Sequence, residues 1–333
     1  MTGTQVLPVL EIGGTHVTVA CVDLATREVV SGTLARRDLD GKASAEELVG
    51  TVVGASAHLR GSVRPLWGVA IPGPFDYERG IGHFRGVGKF AALRDVDLGA
   101  VLRHRLTFGR GMVHFVNDAQ AFLMGEWLAG AASGHRRAVG VTLGTGVGSA
   151  FLVDGAVVEE GPGVPPQGYV YRLRLAGRPL EETVSRRAIC RRYAALRGDS
   201  GHPPTIDLKE ITEYARAGDE LAALALREPL EALGEMLASR VAAFGASVLV
   251  VGGSVARSWD VIGRPLRSGA DRASPGSADI APGRLLDEAA LLGGHRTPPP
   301  RAAEPLVGGQ KPGPSDTGIA SLSAYSSFSS SHP

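Results

Sequence analysis

The stretch V-L-P-V-L-E-I-G-G-T-H-V-T-V-A-C-V-D-L, Val6 to Leu24, holds two apolar, β-rich runs joined at Gly13 and Gly14. Two strands flanking a glycine turn make a β-hairpin. The stretch V-G-V-T-L-G-T-G-V-G-S-A-F-L-V-D-G, Val139 to Gly155, repeats the grammar: apolar strand, Gly/Thr turn, apolar strand, Asp. At one common offset Ile12 meets Leu143, Gly13 meets Gly144, Val17 meets Gly148 and Asp23 meets Asp154. Chance explains one such match but not the pattern. The repeat predicts two related α/β lobes, each opening with a glycine-turn hairpin, with the ligand site in the cleft between them.

Between the hairpins, Trp67 to Ile71 reads as a buried strand ended by Pro72-Gly73-Pro74. A strand from Val113 runs into Asn117-Asp118 and then a helix with Ala119, Phe122, Leu123 and Trp127 at helical spacing. Leu230, Leu233, Leu237, Val241 and Phe244 predict a long amphipathic helix with Pro229 in its first turn. S-V-L-V-V-G-G-S predicts a buried strand stopped by Gly252 and Gly253, and Leu285 to Leu292 a final helix with Gly293-Gly294 as its C-cap. The lobes are expected at 1–118, completed by the helix at 283–294, and at 119–282. From about Thr297 the chain turns to Pro, Gly and Ser, which predicts a disordered tail over 297–333.

The chain has 333 residues, a length that fits about two domains of roughly 150 residues. With 35 Lys+Arg against 34 Asp+Glu, no overall field pulls it to nucleic acid or an anionic membrane. The Arg-rich run Arg172 to Arg192 contains Glu181 and Glu182 and reads as a solvated face. The two cysteines, Cys21 and Cys190, lie far apart, so neither a disulfide framework nor a thiolate cluster is expected, and both read as buried residues of a reducing cytoplasm. His16, His83, His114 and His202 are not at metal spacing. Pro8 and Glu11 interrupt the first apolar run, and apolar stretches such as Val248 to Val251 fall far short of the roughly 20 residues of a membrane span. A cytoplasmic protein without a nucleic-acid or membrane partner is expected.

Three glycine turns end apolar strands: Gly13-Gly14, Gly144 to Gly148, and Gly252-Gly253. Each could present backbone N–H groups to phosphate, with Thr15, Thr145 and Ser254 as hydroxyl donors. None is a P-loop or a strict dinucleotide fingerprint, and any one of them alone reads equally as a tight hairpin. Three together favour a nucleoside triphosphate held between the lobes. Glu11 is the carboxylate nearest that site, either a solvated strand-edge residue or a water-mediated holder of Mg²⁺. Asn117-Asp118 reads as a helix N-cap, and also as an amide and a carboxylate at a strand's C-terminal end, where Asp118 could take a proton from a substrate hydroxyl attacking phosphorus.

In combination, E-I-G-G-T-H, G-V-A-I-P-G-P-F-D, F-V-N-D-A-Q-A-F, L-G-T-G-V-G-S and V-V-G-G-S-V-A resemble, in order over residues 7–294, the ROK family of bacterial sugar kinases and repressors. That family belongs to the actin/hexokinase/Hsp70 ATPase superfamily. The resemblance implies two actin-like, ribonuclease H-like lobes and ATP-dependent phosphorylation of a hexose or hexose derivative, usually at the 6-hydroxyl. By it Asp118 is the catalytic base and Asn117 binds sugar. Gly13, Gly14, Thr15 and His16 form the first phosphate motif and Gly144, Thr145, Gly146 and Gly148 the second. Gly252, Gly253 and Ser254 lie on the adenosine side. Pro72, Gly73 and Lys89 line the sugar pocket, and a homo-oligomer such as a dimer is implied.

The chain departs from the family pattern in three places. Glu11 and His16 stand where D-I-G-G-T-K is usual. The segment around Tyr169, P-P-Q-G-Y-V-Y-R, replaces a sugar-binding G-E-I-G-H, with Tyr169 the residue that would take the Glu's place. The zinc-site cysteines that follow in relatives are missing, so no zinc is expected. The alternatives are a catalytically weak or inactive sugar-binding regulator without a DNA-binding segment, and a kinase for a non-sugar polyol or acid.

Overall fold

The computed structural model describes residues 6–59, 66–86, 88–175, 177–199 and 206–295; the tail expected from 297 and His202 lie outside them. In chain order the elements are β1 (Val6–Ile12), β2 (His16–Asp23), β3 (Glu28–Val29), β4 (Ala35–Asp38), α1 (Ala45–Ala55), β5 (Leu66–Ile71), the hairpin β6 (Phe75–Asp76) and β7 (Ile81–Gly82), α2 (Leu98–Thr107), β8 (Met112–Asn117) and α3 (Asp118–Ala129). There follow β9 (Arg137–Leu143), β10 (Val147–Val153), β11 (Ala156–Val157), the hairpin β12 (Arg174–Leu175) and β13 (Arg178–Pro179), α4 (Glu181–Val184), α5 (Arg186–Leu196) and α6 (Leu208–Arg216). The chain continues through α7 (Glu220–Phe244), β14 (Val248–Gly252), α8 (Trp259–Ala273), β15 (Asp279–Pro282) and α9 (Ala289–Gly293).

The two large sheets repeat one topology. The first runs β3-β2-β1-β5-β8, with β4 also on β2, and the second runs β11-β10-β9-β14-β15. Each opens with an antiparallel hairpin, closed at Ile12↔Val17 in the first and Leu143↔Val147 in the second. Each then continues with two parallel strands. The expected pair of related α/β lobes is therefore present.

Both faces of each sheet are covered, which is why the strands read as near-continuous apolar runs. In the first sheet Leu10, Ile12, Val17 and Val19 pack with Leu48, Val52, Trp67 and Phe90, while Val9, Ala20 and Val22 on the other face lie under Leu291 and Leu292 of α9. In the second, Val139, Val141 and Phe151 meet the α7 stripe of Leu226, Leu230, Leu233 and Leu237. Between the sheets sits α3, whose Phe122 and Leu123 share one cluster with Ala70 and Val116 of the first sheet and Ala138, Leu152 and Val250 of the second. A helix covered on several sides has to be apolar nearly all round, as α3 is.

Helices α3 and α9 cross closely enough to require glycine. A Cβ on Gly125 would lie 1.9 Å from the Ala289 carbonyl oxygen, and one on Gly293 would lie 1.9 Å from that of Ala121. Gly294 is the C-cap of α9 as expected, its amide donating to the Ala290 carbonyl, but at φ −69° it caps without a left-handed residue, and Gly293 also admits its neighbour. The turn expected to open that helix is 3₁₀ over Leu286–Glu288. Pro229 is likewise not in a first turn. Helix α7 starts at Glu220, where Asp219 accepts from the Ala222 amide at 2.8 Å, because buried Ala222, Ala225 and Leu226 extend the apolar stripe upstream. Along the Arg-rich run, Arg186 pairs with Asp207, Arg187 with Glu181 and Arg192 with Glu228, as a solvated face should. Among the described residues no helix is long and apolar enough to cross a membrane.

Candidate active site

The end of β8 delivers two adjacent side chains with different duties. Asn117 caps α3: its Oδ1 accepts from the Ala119 and Gln120 amides at 3.0 and 3.3 Å. Its Nδ2 donates to the Tyr77 hydroxyl at 2.9 Å, and that hydroxyl donates to the Ile71 carbonyl at 3.2 Å. Asn117 thus fixes the β8–α3 junction and Tyr77 while both its polar atoms are engaged.

Asp118 accepts from the Ala119 amide at 2.9 Å and remains partly open to the cleft. Burial pushes its carboxyl above the usual carboxylate range, against the opposing pull of the Lys89 ammonium. Lys89 is half-buried, not a free surface lysine. Its Cδ is 3.2 Å from where a Cβ on Gly14 would be, so its stem lies on the first glycine turn and its charge acts on Asp118. This one side chain links the turn to the carboxylate.

Around Asp118 stands a group that sequence reading only partly found. Tyr77 is pushed up by burial and then by the Asp118 carboxylate, with Tyr169 and Tyr171 adding to it. Tyr169 is pushed up by burial, then by Tyr171 and Glu159, and also by Asp118. The Tyr169 and Tyr171 rings lie 5.4 Å apart, with the Arg172 guanidinium 5.1 and 5.7 Å from their centroids. Gln120 Nε2 reaches Glu159 Oε1 at 3.4 Å. Pro72 is buried, and Gly73 lies beside Tyr77, whose hydroxyl would be 3.3 Å from a Cβ there. Gly73, Lys89, Asn117, Asp118 and Tyr169 thus lie in one neighbourhood, Pro72 adjoins it in the chain, and Tyr77, Tyr171 and Glu159 join them.

The three glycine turns divide into two neighbourhoods. In the first, the Gly13 amide bonds the His16 carbonyl at 2.9 Å, while Thr15 is exposed with its Oγ1 3.2 Å from His16 Nδ1. The second and third adjoin, since Ser254 Oγ is 3.7 Å from where a Cβ on Gly144 would be. Thr145 and Ser254 are exposed. Gly253 adopts φ +81°, and a Cβ on it would come within 2.3 Å of the Leu143 carbonyl oxygen, so only glycine fits. Gly148 lies inside β10, where its bare Cα admits Ala119 of α3. Gly252 similarly makes room for the Phe122 ring. Glu181, not singled out from the sequence, brings Oε2 to 3.0 Å from the Cβ position of Gly146.

Glu11, the last residue but one of β1, has its carboxyl raised to about 7, by burial first and then by the Asp118 and Asp287 carboxylates. A cation near it would relieve that cost. Among the described residues no group of three or more His, Cys, Asp or Glu could hold a metal ion. The single Glu11 carboxylate fits Mg²⁺, which keeps its waters and takes one or two carboxylates plus phosphates.

His16 opens β2 opposite Asp38, and burial, then the Arg36 guanidinium, hold its ring below 6.5. A depressed folded value means that the neutral ring contributes stability above pH 6.5, lost as pH falls through the folded value. His16→Gln is expected to remove that part of the acid-side loss. Thermal melts of the nucleotide-free protein between about pH 7.5 and about pH 5.5 check it by a shallower decline in the variant.

Two lobes of repeated topology around a cleft, with glycine turns on both sides and a half-buried carboxylate at a strand end, define the class of two-lobed actin-like ATPase folds. Within that class the chain belongs to the ROK family, whose model matches residues 9–295. It is 29% identical over 255 residues to a glucokinase of Thermotoga maritima, spanning 70% of this chain and 78% of that one. Its fold matches a ROK family glucokinase from Streptomyces griseus solved with glucose and AMPPNP, at TM-score 0.71 and 24% identity over 87% of this chain and 98% of that one. It also matches a ROK family transcriptional regulator homologous to the E. coli MLC protein, at TM-score 0.68 and 18% identity over 87% of this chain and 76% of that one.

Proposed function

We propose that this protein transfers the γ-phosphate of ATP to a hydroxyl, the 6-hydroxyl, of a hexose or hexose derivative, with Asp118 as general base. As a ROK family member with this site it is a phosphotransferase of the sugar-kinase class. The observation that carries the reading is Asp118 itself, a base raised by burial, set near Tyr77 and Tyr169 and joined through Lys89 to the first glycine turn. In the reaction the acceptor oxygen attacks the γ-phosphorus while its proton passes to an Asp118 carboxylate oxygen and the bond to the ADP leaving oxygen breaks. A raised carboxyl is a stronger base at neutral pH, which suits that transfer. The turns at Gly13-Gly14, Gly144 to Gly146 and Gly253-Ser254 would supply N–H and hydroxyl donors to the triphosphate. Glu11 would hold Mg²⁺ through water, and the ion would supply charge neutralisation to the triphosphate. The bodies that close on the substrates are 1–118 with 283–294, and 119–282, and closure excludes water as the competing acceptor.

Tyr169 and Tyr171 take the sugar. Their rings offer a face to the C–H side of a pyranose, and the Arg172 guanidinium stacked on both holds them in place. The double variant Tyr169→Ala/Tyr171→Ala is expected to raise KM for the sugar about tenfold or more with a smaller change in kcat, since stacking acts in ground and transition states alike. Steady-state kinetics check the split. The function itself is tested by coupled ADP release across hexoses, N-acetylhexosamines, polyols and their 6-deoxy analogues. A hexose or N-acetylhexosamine should release ADP and its 6-deoxy analogue should not. Release by no sugar would overturn the reading, and thermal stabilisation by a sugar without release would point to a sugar-binding regulator.

A further inference from the structure

An ion cluster outside the roles above lies beside the first glycine turn. Strand register sets Glu11 opposite Thr18 and Thr18 opposite Arg36, so the three form one row on one face of the first sheet. Val9 and Ala20 share that face and lie under Leu291 and Leu292, so it is the face that α9 covers. Asp287, just before α9, sits over the row with its Oδ2 3.7 Å from Arg36 Nη1. From the other sheet, Arg257 follows the Gly253-Ser254 turn and brings Nη2 to 2.5 and 2.6 Å from the two Asp287 oxygens. One carboxylate is thus shared by an arginine from each side of the cleft, between the first and third glycine turns.

All three side chains are about half exposed. Solvent-exposed ion pairs contribute little to stability, so the cluster is easily broken by a stronger partner. Its charges reach the phosphate-side residues: Arg36 and Asp287 act on both Glu11 and His16, and Arg257 acts on His16. A planar guanidinium binds phosphate oxygens through paired N–H donors, and a triphosphate offers several such oxygens where Asp287 offers two.

We propose that Arg36 and Arg257 are triphosphate-binding residues, one from each side of the cleft, and that Asp287 holds them at its edge until the nucleotide draws them in. This rests on the reading of ATP as phosphoryl donor. Asp287 is then a competitor of the nucleotide and not a support of the site.

The test is calorimetric titration of the full chain with Mg²⁺ and a non-hydrolysable ATP analogue, at two salt concentrations, with melting temperatures recorded in parallel. Arg36→Gln/Arg257→Gln is expected to raise Kd about tenfold or more and to flatten its salt dependence, because two charge-assisted contacts are lost. Asp287→Asn is expected to lower Kd several-fold, since both arginines are released to the phosphates. A merely structural tie between the two sides gives the opposite sign, with Asp287→Asn weakening nucleotide binding in step with Arg257→Gln. That result, or a Kd within about twofold of wild type in the double arginine variant, where two lost charge-assisted contacts should exceed it, overturns the inference alone. A wild-type chain that binds no nucleotide overturns the ATP reading and this inference with it.

Discussion

Asp118→Asn is expected to lower kcat by roughly 10²- to 10⁴-fold, the range over which a positioned general base contributes. The amide is isosteric, can still accept from the Ala119 amide that fixes the side chain at 2.9 Å, and stays beside Lys89. What it loses is the ability to take the hydroxyl proton in the transition state. KM for sugar and ATP should therefore move far less than kcat, which separates loss of the base from loss of the site.

The largest expected effect on stability comes from Glu126→Ala. Glu126 is fully buried. Its Oε2 accepts from the Ala131 amide at 2.7 Å and the Arg284 amide at 3.0 Å, and its Oε1 from the Leu285 amide at 2.9 Å. Gly283 and Gly130 line the cradle, where a Cβ would fall within 2.8 and 2.0 Å of the carboxylate oxygens. One side chain thereby ties the end of α3 to the segment that leads into α9. Truncation would leave three backbone donors without a partner, a loss of about 3–5 kcal/mol, or a drop of roughly 6–15 °C in melting temperature. Glu126→Gln keeps one acceptor oxygen and should fall between, by thermal or denaturant unfolding. Because Asp287 follows directly on this segment, Glu126→Ala should also loosen the Arg257–Asp287 pair.

The repeated hairpins were legible because strand, glycine turn and strand are local patterns, and their recurrence at Gly13 and Gly144 requires no knowledge of the fold. Asn117-Asp118 was legible as a pair read both as a helix cap and, by the resemblance, as a sugar contact and a base. The cap is assigned by the hydrogen bonds of Asn117 to α3 and Tyr77, which composition alone leaves open. Gly148 was read into a turn and Gly293 into a helix end from their neighbours in sequence; neither reading could show that each also makes room for α3, far away in the chain. Tyr77 and Tyr171 carried no spacing signal, since loop aromatics acquire a common face only when two sheets close on one another. Arg36, Arg257 and Asp287 come from three distant segments, a strand and two 3₁₀ turns, and meet only in the folded chain.

The central claim is that phosphorus moves from ATP to a sugar hydroxyl at Asp118. The most direct measurement follows ATP, Mg²⁺ and a sugar active in ADP release by ³¹P NMR with proton coupling, in wild type and Asp118→Asn. Wild type should build up a phosphomonoester signal coupled to the two C6 protons, matched by ADP, and Asp118→Asn should leave the nucleotide nearly unchanged. Growth of inorganic phosphate alone, or an unchanged ATP spectrum in wild type with every sugar, would contradict the account.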